Sequence, residues 1–302
     1  MPSGYLHKRF ALEACKQADV SITEEDVFVM GAQGPDPLFT LGIFPLRFSS
    51  KPKRYGKILH TTRTGAFLCK LCELAREKGD VQQAYTMGFL THYALDSTVH
   101  PYVYAHSLDQ YGNYSSAIHM RLEKNWDAIF YQRDGYSDTP VAMPGVQESQ
   151  AAWPLLALLL SRAVGDVYPE TPLPKEEALE AFQSTVKANK LTHSPGGTKF
   201  AVASVVEKLF AKNPYMLTSQ ISPLYPIEED IENKTHEEWT PPAEPERVRT
   251  ESLEDLYQMA LYRAAELLRA AQAYMQGKQL SMDALQSVIG NVGYDTGIQS
   301  LP

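Results

Sequence analysis

The stretch "MGFLTHYALDSTVHP", residues 87–101, places His92, Asp96 and His100 at intervals of four within an apolar run that holds Met87, Phe89, Leu90 and Leu95. On a helix each residue turns about 100°, so these three side chains fall within roughly 80° of one another on one face. A helix this apolar packs into a core. Two imidazoles and a carboxylate on its surface must then be at least partly buried, and each unpartnered charge there would cost several kcal/mol. The chain must fold so that something meets them. A second run, "AIHMRLEKNWD", repeats the pattern with His119 and Glu123.

Nearly every other periodic segment also has helical spacing. A first helix is expected from Tyr5 to about Ala18. A second, capped by Thr23 with Glu24, Glu25 and Asp26 in its first turn, is expected to reach Met30. "GAQGPDPLFTLGIFPLRF" then reads as a loop. Helices are predicted over 62–78, ended by Gly79, and from Asp80 to about Val99, where Pro101 disfavours helical geometry at His100. Ser115 or Ser116 opens another through about Gln132, and more follow at 148–165, 175–191 and 198–212. Residues 213–248 are proline-rich and irregular, which suggests an arm that covers the cleft or docks on the bundle. Two C-terminal helices are expected over 251–290. No strand alternation and no internal repeat interrupt this pattern. The expected fold is all-α: a single multi-helix bundle domain over 1–302, with a multinuclear metal cleft and a long irregular C-terminal arm.

The charge balance, 28 basic against 36 acidic residues for a net −8, lacks the basic surplus of a nucleic-acid binder. With three cysteines the chain carries no disulfide framework. Cys69 and Cys72 read as core residues one turn apart, because no second CxxC completes a zinc knuckle. The N-terminus shows no secretory pattern, and "WPLLALLL" is too short to span a bilayer, so a cytoplasmic protein without a transmembrane segment is expected. "SPGGTK" lacks the context of a phosphate loop.

Five of the eight histidines, His7, His60, His92, His100 and His119, join Asp36, Asp96 and Glu123 as candidate metal ligands. Neutral imidazole and carboxylate oxygen suit zinc. The set exceeds one tetrahedron and implies more than one metal, an arrangement able to grip both oxygens of a phosphoryl displacement. An HD-type phosphohydrolase needs adjacent His-Asp, which is missing here. A metal-binding structural or ligand-binding protein of the same fold, with little or no hydrolytic activity, is the alternative; access to the cleft separates the two.

His7, the "GPDP" around Asp36, His60, "HYALDSTVHP" and "HMRLE" resemble, in order, the zinc-dependent phospholipase C family, whose superfamily includes fungal single-strand nucleases. The resemblance covers roughly the first 130 residues. It implies an all-α protein with two or three Zn2+ ions in a cleft and a metal-activated water that cleaves a phosphoester substrate, phospholipid being the namesake. It assigns His60, His92 and Asp96 to one zinc and His100, His119 and Glu123 to a second. His7 would serve a third, shared through Asp96, and Asp36 would orient or deprotonate the water, direct metal contact being open to it as well. Secreted members use a freed α-amino group as a further ligand; here an imino terminus at Pro2, five residues before His7, is the expected substitute. The step from Asp96 to His100 is shorter than the family spacing, so the Pro101 turn is expected to supply the reach.

Overall fold

A computed structural model of the chain describes residues 4–43, 51–76, 78–211, 214–278 and 280–302, with the backbone path alone for 51–53. The described residues form eleven α-helices and no strand. They are α1 (Gly4–Ala18), α2 (Glu25–Gly31), α3 (Lys51–Thr61), α4 (Thr64–Arg76), α5 (Asp80–Ala105), α6 (Ser116–Arg133), α7 (Trp153–Val167), α8 (Lys175–Thr192), α9 (Thr198–Phe210), α10 (Leu253–Met275) and α11 (Met282–Ile289). The all-α expectation holds. None of these helices is long and apolar enough to cross a membrane.

The central helix is α5. It packs against α10, α2, α4, α1, α6 and α7, and its apolar residues are buried nearly all the way round, as expected of a helix without a polar face. Its register against α2 depends on two glycines. A Cβ on Gly31 would fall 2.1 Å from the Tyr85 carbonyl oxygen, and one on Gly88 would fall 2.1 Å from that of Phe28. The backbones therefore touch, and α2 delivers the chain directly above α5 at the turn that follows. The contiguous core runs from Leu6 to Tyr294 and includes Cys15, Cys69 and Cys72, all reduced.

Three local expectations need correction. Pro101 does not end α5: the helix continues to Ala105, with His100 buried. A proline removes one helical hydrogen bond, here the one to the Ser97 carbonyl, and the C-terminal loop packs against that gap. A Cβ on Gly297 would lie 2.8 Å from Ser97 O and 2.9 Å from the Pro101 ring. Tertiary packing on every side holds the helix where local geometry disfavours it. Second, His60 lies in the last turn of α3, a helix that precedes the one predicted over 62–78 and was not among those expected. The expected loop, residues 31–48, ends before α3, whose second position is Pro52, where a proline is tolerated; Phe44–Phe48 of that loop lie outside the described residues. Third, Thr23 makes no cap: Glu24 precedes α2 and no side chain caps it. The cap at α10 is a full capping box, with Ser252 Oγ accepting from Asp255 N (3.2 Å) and Asp255 Oδ2 from Ser252 N (2.8 Å).

The irregular segment before α10 docks along α5 and α6. The Ile231 carbonyl accepts from Trp126 Nε1 (3.0 Å) and the Tyr102 hydroxyl (3.3 Å), and Glu232 pairs with Arg133 at 2.7 Å. After α11 the chain returns to the α3–α4 junction. Leu301 N donates to Thr61 O (2.9 Å), Arg63 N to Leu301 O (2.9 Å) and Tyr294 N to His60 O (2.8 Å). This staple brings residues 294–295 beside His60.

Gly88→Ala is expected to lower the urea unfolding free energy by about 1–3 kcal/mol through overpacking against α2. An unchanged midpoint would mean that α2 and α5 do not approach this closely.

Candidate metal centre

Each of the eight sequence-predicted residues reaches one buried region, and separate elements deliver them. His7 sits in the second turn of α1, whose start is anchored by Leu6 N donating to Asp127 Oδ1 on α6 (2.9 Å). Asp36 opens a short 3₁₀ turn, Asp36–Thr40, that leaves α2 through Gly34. Gly34 has φ +55°, and a Cβ there would lie 2.3 Å from the His92 ring. Only glycine permits that turn to lie flat on the imidazole. His60 comes from α3, His92, Asp96 and His100 from α5, and His119 and Glu123 from α6.

Asp96 lies at the centre. Its Oδ1 is 3.1 Å from His7 Nε2 and 3.6 Å from His100 Nε2; its Oδ2 is 2.9 Å from His92 Nε2 and 3.8 Å from His60 Nε2. The helical turn from Asp96 to His100 inside α5 thus supplies the reach directly, with no proline turn involved. Asp36 stands 3.3 Å from His60 Nε2 and 3.8 Å from His92 Nε2. Glu123 Oε1 lies between His100 Nε2 (3.3 Å) and His119 Nε2 (3.1 Å). Two rings are oriented by the backbone: His92 Nδ1 donates to Ala32 O (3.1 Å) and His60 Nδ1 to Gly56 O (2.7 Å). Both Nε2 lone pairs are thereby aimed inward, the arrangement that fixes the tautomer of a metal-binding histidine.

The donor atoms form three groups, each within 4.8 Å: His60, His92 and Asp96; His100, His119 and Glu123; His7, Asp36 and His92. The first two coincide with the sets implied by resemblance. The third brings Asp36 in beside His7, with Asp96 still 3.1 Å from that imidazole. The expected imino terminus at Pro2 lies outside the described residues.

These groups fit divalent cations better than they fit one another. Asp36 Oδ1, His92 Nε2, Asp96 Oδ2 and Glu123 Oε2 are buried without a hydrogen-bond partner. His92 Nε2 and Asp96 Oδ2 are among them although only 2.9 Å apart: with His92 Nδ1 donating to Ala32 O, both atoms are acceptors. Buried polar atoms are nearly always satisfied, so a cluster of orphans on imidazole and carboxylate is the donor set of a metal site. Charge says the same. Burial opposes ionisation of Asp96, yet the imidazoles of His100, His92 and His7 hold its carboxyl well below the usual range. Glu123 is held well below it against burial by His119 and His100. Burial disfavours protonation of His60 and His100, but carboxylates outweigh it. Asp36, with Asp295 and Asp96, raises His60 to about 9; Asp96 and Glu123, with Asp295, raise His100 to about 10. Burial prevails at His92 and lowers its pKa.

The sequence reading missed Asp295, whose Oδ1 lies 3.8 Å from His100 Nδ1, and Tyr294, a fully buried ring 5.2 Å from the His60 ring and 5.7 Å from the His92 ring. Both sit in "GYDTG", where no periodicity marks them. The tyrosine-rich segment divides. Tyr104 and Tyr114 stack at 5.1 Å and line the cleft, whereas Tyr102 packs on Trp126 and Trp239, and Tyr111 is exposed. The cleft is an open cavity of about 680 Å³ whose walls include Asp36, His60, His100, His119, Lys57 and Asp295. Gln220 of the arm reaches its rim.

In metal-free protein, folded His60 and His100 hold protons that the unfolded chain releases near pH ~6.5. Their folded values are raised, so their stabilisation is complete below about pH 6.5 and disappears as pH climbs through about 9 and 10. Metal competes for the same lone pairs, so zinc affinity should rise across that window with proton release. Thermal unfolding with and without chelator tests this: the zinc-dependent rise in Tm should grow from about pH 6.5 upward. A rise that shrinks with pH would contradict ligation by these imidazoles.

The sequence model of the family described as zinc dependent phospholipase C matches residues 6–156, and all eight residues fall within that span. No curated protein and no solved structure matches the chain. The match over half of the chain, on the helices that carry the metal-capable groups, makes this protein a member of the zinc-dependent phospholipase C family.

Proposed function

We propose that the cleft hydrolyses a phosphodiester bond, with a phospholipid as the physiological class of substrate. The observation that carries this reading is the convergence of three metal-capable donor groups on the floor of an open cavity, with Asp96 in contact with four imidazoles. A protein that held metal for structure alone would seal it. Here the arm docks on α5 and α6 and leaves the cavity open.

His60, His92 and Asp96 would hold one zinc, His100, His119 and Glu123 a second, and His7 with Asp96 a third. Zinc bound there supplies a water of lowered pKa and positive charge for the phosphate oxygens. Asp36 is the residue that takes the proton of the attacking water, because it faces both the cavity and the donor groups. Its turn holds it with little freedom: Pro37 follows it, its own N–H donates to Gln33 O (3.2 Å), and its carboxylate is 1 % exposed as a residue. Tyr104 and Tyr114 wall one side of the bound substrate, and the Lys57 ammonium faces it from α3.

Two variants separate the roles. Asp96→Asn should lose zinc and lower turnover of bis(p-nitrophenyl) phosphate by about 10²-fold or more. Asp36→Asn should keep the zinc of the His100, His119 and Glu123 group and still lose about 10²–10⁴-fold, the usual range for a general base. Zinc content and steady-state rates of the purified proteins check both. Unchanged turnover in Asp96→Asn would remove the site from the chemistry.

A further inference from the structure

The C-terminal loop touches the metal centre with two successive residues. Tyr294 lays its ring beside His60 and His92, while Asp295 stands at His100. Bonds on both sides pin the loop that carries them. Before it, Asn291 Oδ1 accepts from Gly65 N (3.0 Å) and Val292 O from the Thr64 hydroxyl (2.7 Å), both at the start of α4. Within it, Tyr294 N donates to His60 O (2.8 Å), Gly293 N to Ile298 O (2.8 Å) and Gly297 N to Gly293 O (3.0 Å). Asp295 lies inside that turn, so its neighbours' backbone bonds limit where its carboxylate can go. Its side chain is 25 % exposed and lines the cleft.

The nitrogen that Asp295 faces is the one the donor group does not use. His100 turns Nε2 to Glu123 Oε1 (3.3 Å) and Asp96 Oδ1 (3.6 Å), and Nδ1 to Asp295 Oδ1 (3.8 Å). The two nitrogens of one ring do not bind the same ion, so Asp295 stands outside the donor group. At 3.8 Å the contact is an ion pair and not a hydrogen bond, and His100 Nδ1 is buried without a hydrogen-bond partner. In His60 and His92 the corresponding atom donates to a backbone carbonyl, Gly56 O or Ala32 O. His100 has no such backbone acceptor. When Nε2 gives its lone pair to a metal, Nδ1 keeps a proton and, shielded from water, needs an acceptor. A carboxylate in that place fixes the ring and raises its basicity toward the metal.

We propose that Asp295 is the positioning residue of the second metal: when His100, His119 and Glu123 hold a cation, Asp295 accepts from His100 Nδ1, and the C-terminal loop becomes part of that one site. This rests on the reading of those three residues as a metal site. It extends the site to a residue well beyond the span 6–156 that the family model matches.

The test is zinc binding by the full chain, stripped of metal and titrated against a competing chelator, with turnover of bis(p-nitrophenyl) phosphate as a second readout. Asp295→Ala should weaken one zinc by about 10–100-fold and leave the rest bound as in wild type. Asp295→Asn, which keeps an acceptor oxygen without the charge, should recover part of that loss. In a Glu123→Gln background, where the same zinc is already compromised, Asp295→Ala should not weaken the zinc that remains. Equal weakening of every zinc, in either background, would overturn the proposal, because Asp295 would then act through the fold. So would unaltered zinc affinity with a raised KM, which would make Asp295 a substrate contact. A wild type that takes up no zinc would strike the metal reading of the cleft and the proposal together, whereas a wild type that binds zinc as tightly as Asp295→Ala would strike the proposal alone.

Discussion

The structure is organised around one buried carboxylate. Asp96 is 2 % exposed on a helix packed on every side, and four imidazoles from α1, α3 and α5 stand within 4 Å of its two oxygens. Removing one partner from a buried charge costs about 3–5 kcal/mol, so the elements that bring those imidazoles cannot drift independently. The glycine contacts of α2 with α5 and the flat Gly34 turn on His92 follow from this demand. So does the C-terminal staple on the His60 carbonyl. Each brings a donor or its support to a fixed distance from Asp96. The core is the scaffold of a charge cluster as well as a hydrophobic solution.

That coupling explains which parts of the site were legible in the sequence. His92–Asp96, Asp96–His100 and His119–Glu123 are i, i+4 pairs, and helical spacing alone puts each pair on one face. Asp36 was legible because a Gly-Pro-Asp-Pro turn fixes a carboxylate. His7 and His60 have no local partner; they entered the set as further histidines in the first 60 residues, and the resemblance then gave them their places in it. Asp295 was invisible: it lies 195 positions after His100, and backbone bonds to the α3–α4 junction bring it there. Helix boundaries failed for a related reason. The rule that a helix ends before proline describes local sterics, whereas α5 is held through Pro101 by the loop at Gly297. The capping rule failed at Thr23, because α2 begins only at Glu25 and Glu24 stands before it, whereas α10 opens on a full box at Ser252 and Asp255.

The two halves of the chain contribute different things. Residues 6–156 carry the family match and every candidate ligand. Beyond them lie Asp295 at His100 and Gln220 at the rim. Metal chemistry tolerates little geometric change, since donors displaced by an ångström no longer share an ion. Walls that meet a substrate are freer to vary. The walls of the cleft come from both halves, Lys57, Tyr104 and Tyr114 from the matched span and Gln220 and Asp295 from beyond it, so selectivity is to be sought where the two meet.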